Sequence, residues 1–184
     1  MSARDELRTL LAQHSFLTRP EGYRLASGQW SADYFDLKRA TLSQPRALVL
    51  AAEILLDRLG KLPPPIDAIG GLTSGADPLV IAVSQLALRD GRTLPAFFVR
   101  DEQKSHGTKQ VIEGIVEDRM RVVILDDVMT TGGSVQKAID AVEKAGASVV
   151  QVFILVDREE GGVRTLRDRG YAVEALFTRS ELRS

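Results

Sequence analysis

The sequence predicts an α/β domain built on a mostly parallel sheet, and three observations carry that prediction. From Ile66 onward, short runs rich in Val, Ile and Leu alternate with stretches of helical periodicity, the pattern that parallel crossovers impose. Val122 to Leu125 is apolar without interruption, as a strand covered on both faces must be. Hydrophobic residues make up 44% and charged residues 27% of the 184-residue chain, enough apolar material for one core of ordinary size.

The same composition excludes several classes of function. With 24 basic and 25 acidic residues the formal charge is −1, so there is no broad basic field to hold nucleic acid. With no cysteine there is no disulfide framework and no thiolate metal site. The first residues, Met1 to Glu6, carry acids and lack the apolar stretch of a signal peptide. The longest apolar run, Ala47 to Ala52, is far shorter than the roughly 20 residues of a membrane span. The expectation is a soluble, cytoplasmic protein with neither nucleic acid nor membrane as partner.

Along the chain, Leu7, Leu10, Leu11 and His14 fall at helical spacing and predict a helix over 3–14. Tyr23 to Ala26 and Asp33 to Leu37 read as two short strands joined through Ser27 and Gly28. Leu48, Ala52, Leu55, Leu56 and Leu59 share one helical face, and Gly60 ends that helix. Pro63, Pro64 and Pro65 form a stiff connector into a strand over Ile66 to Ile69. After the loop from Gly70 to Gly75, Asp77 as N-cap and Pro78 as first residue open a helix. A strand over Pro95 to Val99 precedes a polar, aperiodic stretch at 101–109. Beyond the strand at Val122, a helix over Ser134 to Ala145 stops at Gly146. A strand over Val149 to Val156, a polar helix over 159–169 and a strand over Tyr171 to Leu176 complete the chain.

The chemistry concentrates in the segment from Val122 to Ser134. A buried strand runs into Asp126 and Asp127, then into a loop of Thr130, Thr131, Gly132, Gly133 and Ser134 that opens a helix. The glycines let the backbone close around a ligand, and the free N–H groups of a helix start attract an anion. Thr130, Thr131 and Ser134 add hydroxyl donors, so phosphate is the natural guest. Asp126 and Asp127 repel phosphate but accept hydrogen bonds from sugar hydroxyls. Acid pair and phosphate loop together describe a ribose phosphate. No lysine follows the glycines, so this is not a Walker A loop, and it is not a GxGxxG fingerprint either.

This string resembles the phosphoribosyl pyrophosphate (PRPP) signature of type I phosphoribosyltransferases, and further segments resemble the orotate phosphoribosyltransferases among them. Leu25 to Asp36 is similar to that family's N-terminal hood segment, and Gly71 to Leu79 to its pyrophosphate loop. Arg100 to Gly107 resembles its catalytic lid, and Val156-Asp157-Arg158 its strand end beside the base. The resemblance runs in order along nearly the whole chain. It implies a central mostly parallel sheet flanked by helices, with a hood over about 1–40 and a core over about 41–184. It implies transfer of the phosphoribosyl group from PRPP to N1 of orotate, giving orotidine 5′-monophosphate and pyrophosphate. By the same likeness Mg²⁺ is the cofactor, held mainly through PRPP and water, and the protein is a homodimer with shared active sites.

The resemblance also assigns residues. PRPP falls to Arg100, Lys104 and His106 of the lid, to Asp126 and Asp127 at the ribose, to Val128 and Met129 after them, and to Thr130, Thr131, Gly132, Gly133 and Ser134 around the 5′-phosphate. Thr130 and Arg158 fall beside orotate, whose carboxylate suits a guanidinium; the plain alternative for Arg158 is an ion pair with Glu159 or Glu160. Arg100, Lys104 and His106 are the catalytic cations. Bond breaking at the anomeric carbon places negative charge on pyrophosphate, and the site must offset it and exclude water.

Three positions depart from the family pattern. Asp101 stands where lids usually carry lysine, so either it points away from pyrophosphate or PRPP affinity is reduced. Ala26 stands where some members have a lysine before the hood's Ser-Gly, with Lys38 nearby in sequence as a candidate substitute. Gly75 stands where others place a lysine in the pyrophosphate loop, which leaves backbone N–H groups there; Asp77 reads as a helix cap. Rival readings are a phosphoribosyltransferase for another base, which Arg158 and the hood segment disfavour, and a PRPP-sensing regulator without turnover.

Overall fold

The computed structural model describes residues 1–24, 30–101 and 111–183. Helix α1 (Ala3–Ser15) is opened by Ser2, whose hydroxyl accepts from the Asp5 amide while the Asp5 carboxylate accepts from Ser2, a reciprocal capping box. Strands β1 (Phe16–Arg24) and β2 (Trp30–Phe35) follow as an antiparallel ribbon. Helix α2 (Leu37–Ser43) then leads into α3 (Pro45–Leu59), which stops at Gly60.

The main sheet takes β3 (Ala68–Leu72), α4 (Asp77–Arg89), β4 (Ala96–Val99), β5 (Ile112–Glu113), β6 (Arg121–Met129), α5 (Gly133–Lys144), β7 (Ser148–Asp157), α6 (Gly162–Asp168), β8 (Val173–Thr178) and α7 (Arg179–Arg183). Its six strands lie in the order β5-β4-β3-β6-β7-β8, parallel throughout except for β5, which runs antiparallel to β4. The chain order reverses between β3 and β6, which become neighbours. That is the switch point at which parallel sheets open a crevice at their carboxyl ends.

Strand β6 shows why its apolar run is continuous. Val123 and Leu125 pack with Leu50, Leu55 and Val80 of α3 and α4 on one face, whereas Val122 and Ile124 pack with Ile139, Val142 and Leu166 of α5 and α6 on the other. Both faces are dry, so no polar alternation is left in the strand.

Several boundaries differ from the sequence expectation, each for a physical reason. The first ribbon strand begins at Phe16, not Tyr23, because its polar middle lies across a register irregularity between Thr18 and Tyr23 that hides the period-two pattern. The expected loop at Ser27 and Gly28 lies outside the described residues. Leu37 was expected to end a strand and instead starts α2: the Asp36 carboxylate accepts from the Arg39 amide at 3.1 Å, and Leu37 and Ala40 are buried. The helix expected to be capped by Asp77 has Ala76 as its N-cap, with Asp77 as its first residue. Strand β6 continues through Asp126 and Asp127 to Met129, so the acids belong to the strand itself. The helix expected over 159–169 begins only at Gly162, after Gly161 in a left-handed turn at φ 92°. Neither β5 nor α7 was expected; both are too short to show a period.

Candidate active site

The carboxyl ends of β3, β6 and β7 bring together Asp126, Asp127, the loop from Thr130 to Ser134 and Arg158. Asp126 and Asp127 are 5% and 8% exposed, deeper than acids normally lie. Asp126 Oδ1 accepts from the Asp127 amide at 3.0 Å, and Asp127 Oδ1 from the Val128 amide at 2.8 Å. Burial, reinforced by the charge of Asp127, raises the Asp126 carboxyl well above the ordinary range. Burial also raises Asp127, while the Lys38 ammonium pulls it the other way.

Beyond them the chain enters the loop. Val128 packs against one core cluster and Met129, 1% exposed, belongs to the other, so these positions present backbone rather than side chain to the crevice. Gly132 adopts φ 89° as the N-cap of α5, without a side-chain hydrogen bond to the cap. The first amides of α5 have no acceptor within the helix, and the loop from Thr130 leads directly into them.

The β7–α6 connection closes on this loop. The Arg158 amide donates to the Met129 carbonyl at 2.9 Å, and the Gly162 amide to the Thr130 carbonyl at 3.0 Å. A Cβ on Gly162 would lie 2.5 Å from the Thr130 oxygen and 2.8 Å from the Gly132 nitrogen, so only glycine permits this approach. Sequence reading passed over Gly162; a glycine pair after a strand end was its signal. The Arg158 side chain is three-quarters covered and pairs with Glu160 at 2.8 Å, while its Nε is buried with no partner. Glu159 is engaged elsewhere, accepting from the Ser180 amide at 2.9 Å.

On the other side, the β3–α4 loop lies over the acids. A Cβ on Gly75 would sit 2.8 Å from Asp126 Oδ1 and 2.9 Å from Asp127 Oδ1. Lys38, reaching across from α2, donates to Ser74 Oγ at 3.0 Å. Asp77 accepts from the Thr73 hydroxyl at 3.1 Å, bracing the loop rather than capping the helix. Of the lid residues, Arg100 pairs with Glu113 of β5, and Asp101 pairs with Lys137 of α5. The Asp101 carboxylate is therefore matched by a cation. Lys104 and His106 lie outside the described residues.

A mostly apolar hollow of about 430 Å³ lies between the end of α3 and the end of α4, lined by Leu56, Leu59, Leu62, Ile66, Arg92 and Leu94. It offers one hydroxyl, that of Thr93, and neither paired acids nor a helix start, and chemistry rather than volume marks the crevice as the site. Among the described residues no group of three or more His, Cys, Asp and Glu could hold a metal ion.

The chain matches the phosphoribosyl transferase domain family over residues 40–176. It is 39% identical to an orotate phosphoribosyltransferase of Aquifex aeolicus, over 99% of this chain and 98% of that protein. The crystal structure of the Mycobacterium tuberculosis orotate phosphoribosyltransferase superposes with a TM-score of 0.85 at 32% identity, covering 98% of this chain and 99% of that one. A second structure of that enzyme, in complex with 5-phospho-α-D-ribosyl 1-diphosphate, superposes at 0.77 with 29% identity over 98% and 91% of the two chains.

Proposed function

This chain belongs to the orotate phosphoribosyltransferases of the phosphoribosyl transferase family, and from that premise we propose that it transfers the phosphoribosyl group of PRPP to N1 of orotate as a step toward UMP. The observation that carries the reading is the placement of a buried acid pair directly before a glycine-rich helix start, beneath a second loop, at the sheet's switch point.

The 5′-phosphate fits the amides at the start of α5, with the hydroxyls of Thr130, Thr131 and Ser134 around it. The ribose hydroxyls donate to Asp126 and Asp127, which favours the charged form of carboxyls that burial otherwise pushes toward the neutral one. Orotate sits beside Thr130, its carboxylate replacing Glu160 on Arg158 and giving the buried Nε a route to an acceptor. N1 of orotate then bonds to the anomeric carbon as the carbon–oxygen bond to pyrophosphate breaks; pyrophosphate leaves with the electron pair, and the proton of N1 passes to water or to the departing pyrophosphate. Arg100, Lys104 and His106 offset that charge.

Phosphoribosyltransferases generally use Mg²⁺ with PRPP. The acid pair has no room above it at Gly75 and no third acid beside it among the described residues, so the ion fits on the oxygens of PRPP and water rather than in a protein cage. When bound it would neutralise part of the pyrophosphate charge.

The protein works as a homodimer in which each chain completes the other's site, with the hood over about 1–40 beside the core. No helix among the described residues is long and apolar enough to cross a membrane, and the cytoplasm suits this reaction.

Competition between bases tests the assignment. Orotate is expected to turn over while uracil and adenine do not. Arg158→Ala should raise the KM for orotate about tenfold or more and leave that for PRPP within about twofold. An equal rise in both would make Arg158 a structural residue and reopen the choice of base.

A further inference from the structure

We propose that Lys38 is a pyrophosphate-binding residue of this enzyme, delivering from α2 the positive charge that the β3–α4 loop itself lacks. The inference rests on the phosphoribosyl-transfer reading of the site and adds a residue to it.

The argument starts with what position 75 can carry. A Cβ there would meet two carboxylate oxygens within 3 Å, at 2.8 and 2.9 Å. The loop is laid so closely over the acids that a side chain at 75 would have to displace their carboxylates, and position 75 itself offers a ligand only backbone. One residue before it, Ser74 presents a hydroxyl, and Lys38 Nζ donates to it at 3.0 Å.

Lys38 is well anchored for this contact. It is the second residue of α2, whose start is fixed by the Asp36 cap and whose inner face is fixed by buried Leu37 and Ala40. The side chain is exposed, so its ammonium is open to ligand. One of its three protons goes to Ser74; an ammonium holding one hydroxyl can still donate to the oxygens of a polyanion. Its charge also reaches both acids, lowering the pKa of each against the burial that raises them.

The position is chemically apt. The acids mark where the ribose lies, and the β3–α4 loop lies on the side of them opposite the β7–α6 connection. A diphosphate on the anomeric carbon therefore projects toward Ser74, where the departing group gains negative charge as its bond to carbon breaks. Arg100 is engaged with Glu113 in this structure, whereas Lys38 already touches the loop.

The test uses full-length protein with two variants, Lys38→Gln and Lys38→Arg, and calorimetric titration with inorganic pyrophosphate and with PRPP, each with Mg²⁺. Lys38→Gln is expected to weaken both ligands about tenfold or more and to raise the KM for PRPP, with the KM for orotate within about twofold and the melting temperature unchanged. Lys38→Arg, which keeps the charge, should recover most of the loss. A merely structural lysine would move the melting temperature or both substrates together, and that result overturns the proposal. Unchanged pyrophosphate and PRPP affinity in Lys38→Gln overturns it as well. Should wild type itself bind no PRPP, the phosphoribosyl-transfer reading fails and this inference with it; should wild type bind and the variant match it, only the role of Lys38 fails.

Discussion

Asp126 is held by burial, and by the neighbouring charge of Asp127, toward the protonated side of ordinary carboxylate behaviour. The consequence for stability has a definite sign. Above the ordinary Asp value of about 3.9 and below the raised folded-state value, the folded chain binds more protons than the unfolded one. This group's contribution to stability is therefore present at low pH and lost as pH rises through that window. Asp126→Asn keeps an oxygen to accept from the Asp127 amide and removes the titration. Urea unfolding at a series of pH values should show the variant gaining on wild type, as a rising midpoint difference, as pH climbs above the ordinary Asp value of about 3.9. Parallel curves would mean that Asp126 is not strained by burial. At this scale the sequence was informative about the acids, since adjacent carboxylates after an apolar strand have few structural uses. It could not reveal that Gly75 leaves the acids covered, nor that Lys38 reaches Ser74, because both contacts join segments far apart in the chain.

At the scale of elements, the long apolar strands and the amphipathic helices α3 and α5 were legible because burial on one face or two imposes a period. Helix α2 was not, because seven residues offer two turns and its cap signal at Asp36 competes with the alternation of the strand before it. The β7–α6 connection was misread as helix because its polar residues fit either state, and the left-handed glycine at 161 decides. That connection also fixes the phosphate loop. Gly162→Ala would push a methyl to within 2.5 Å of the Thr130 oxygen and 2.7 Å of Met129 Cγ. Overpacking of this kind costs roughly 1–3 kcal/mol, so Tm should fall by several degrees and PRPP affinity with it. Gly133→Ala meets nothing within 4 Å and should melt close to wild type. Equal melting of the two variants would show that the connection does not brace the loop.

For the whole molecule, the expected dimer makes a quantitative demand. If each lid closes over the partner's site, Lys104→Ala and Asp127→Asn are each nearly inactive alone, yet a mixed dimer contains one site with both parts intact. Random reassortment of equal amounts makes about half the dimers mixed, so activity should return to roughly a quarter of wild type. Once exchange of subunits is demonstrated by mass, no recovery would place each lid over its own chain's site. The reaction itself is tested most directly by mixing the purified chain with PRPP, Mg²⁺ and orotate and following orotate absorbance and pyrophosphate together. One pyrophosphate released for each orotate consumed, at many turnovers per chain, is the expected result; PRPP bound with no loss of orotate would contradict it and make the protein a sensor of PRPP rather than an enzyme that spends it.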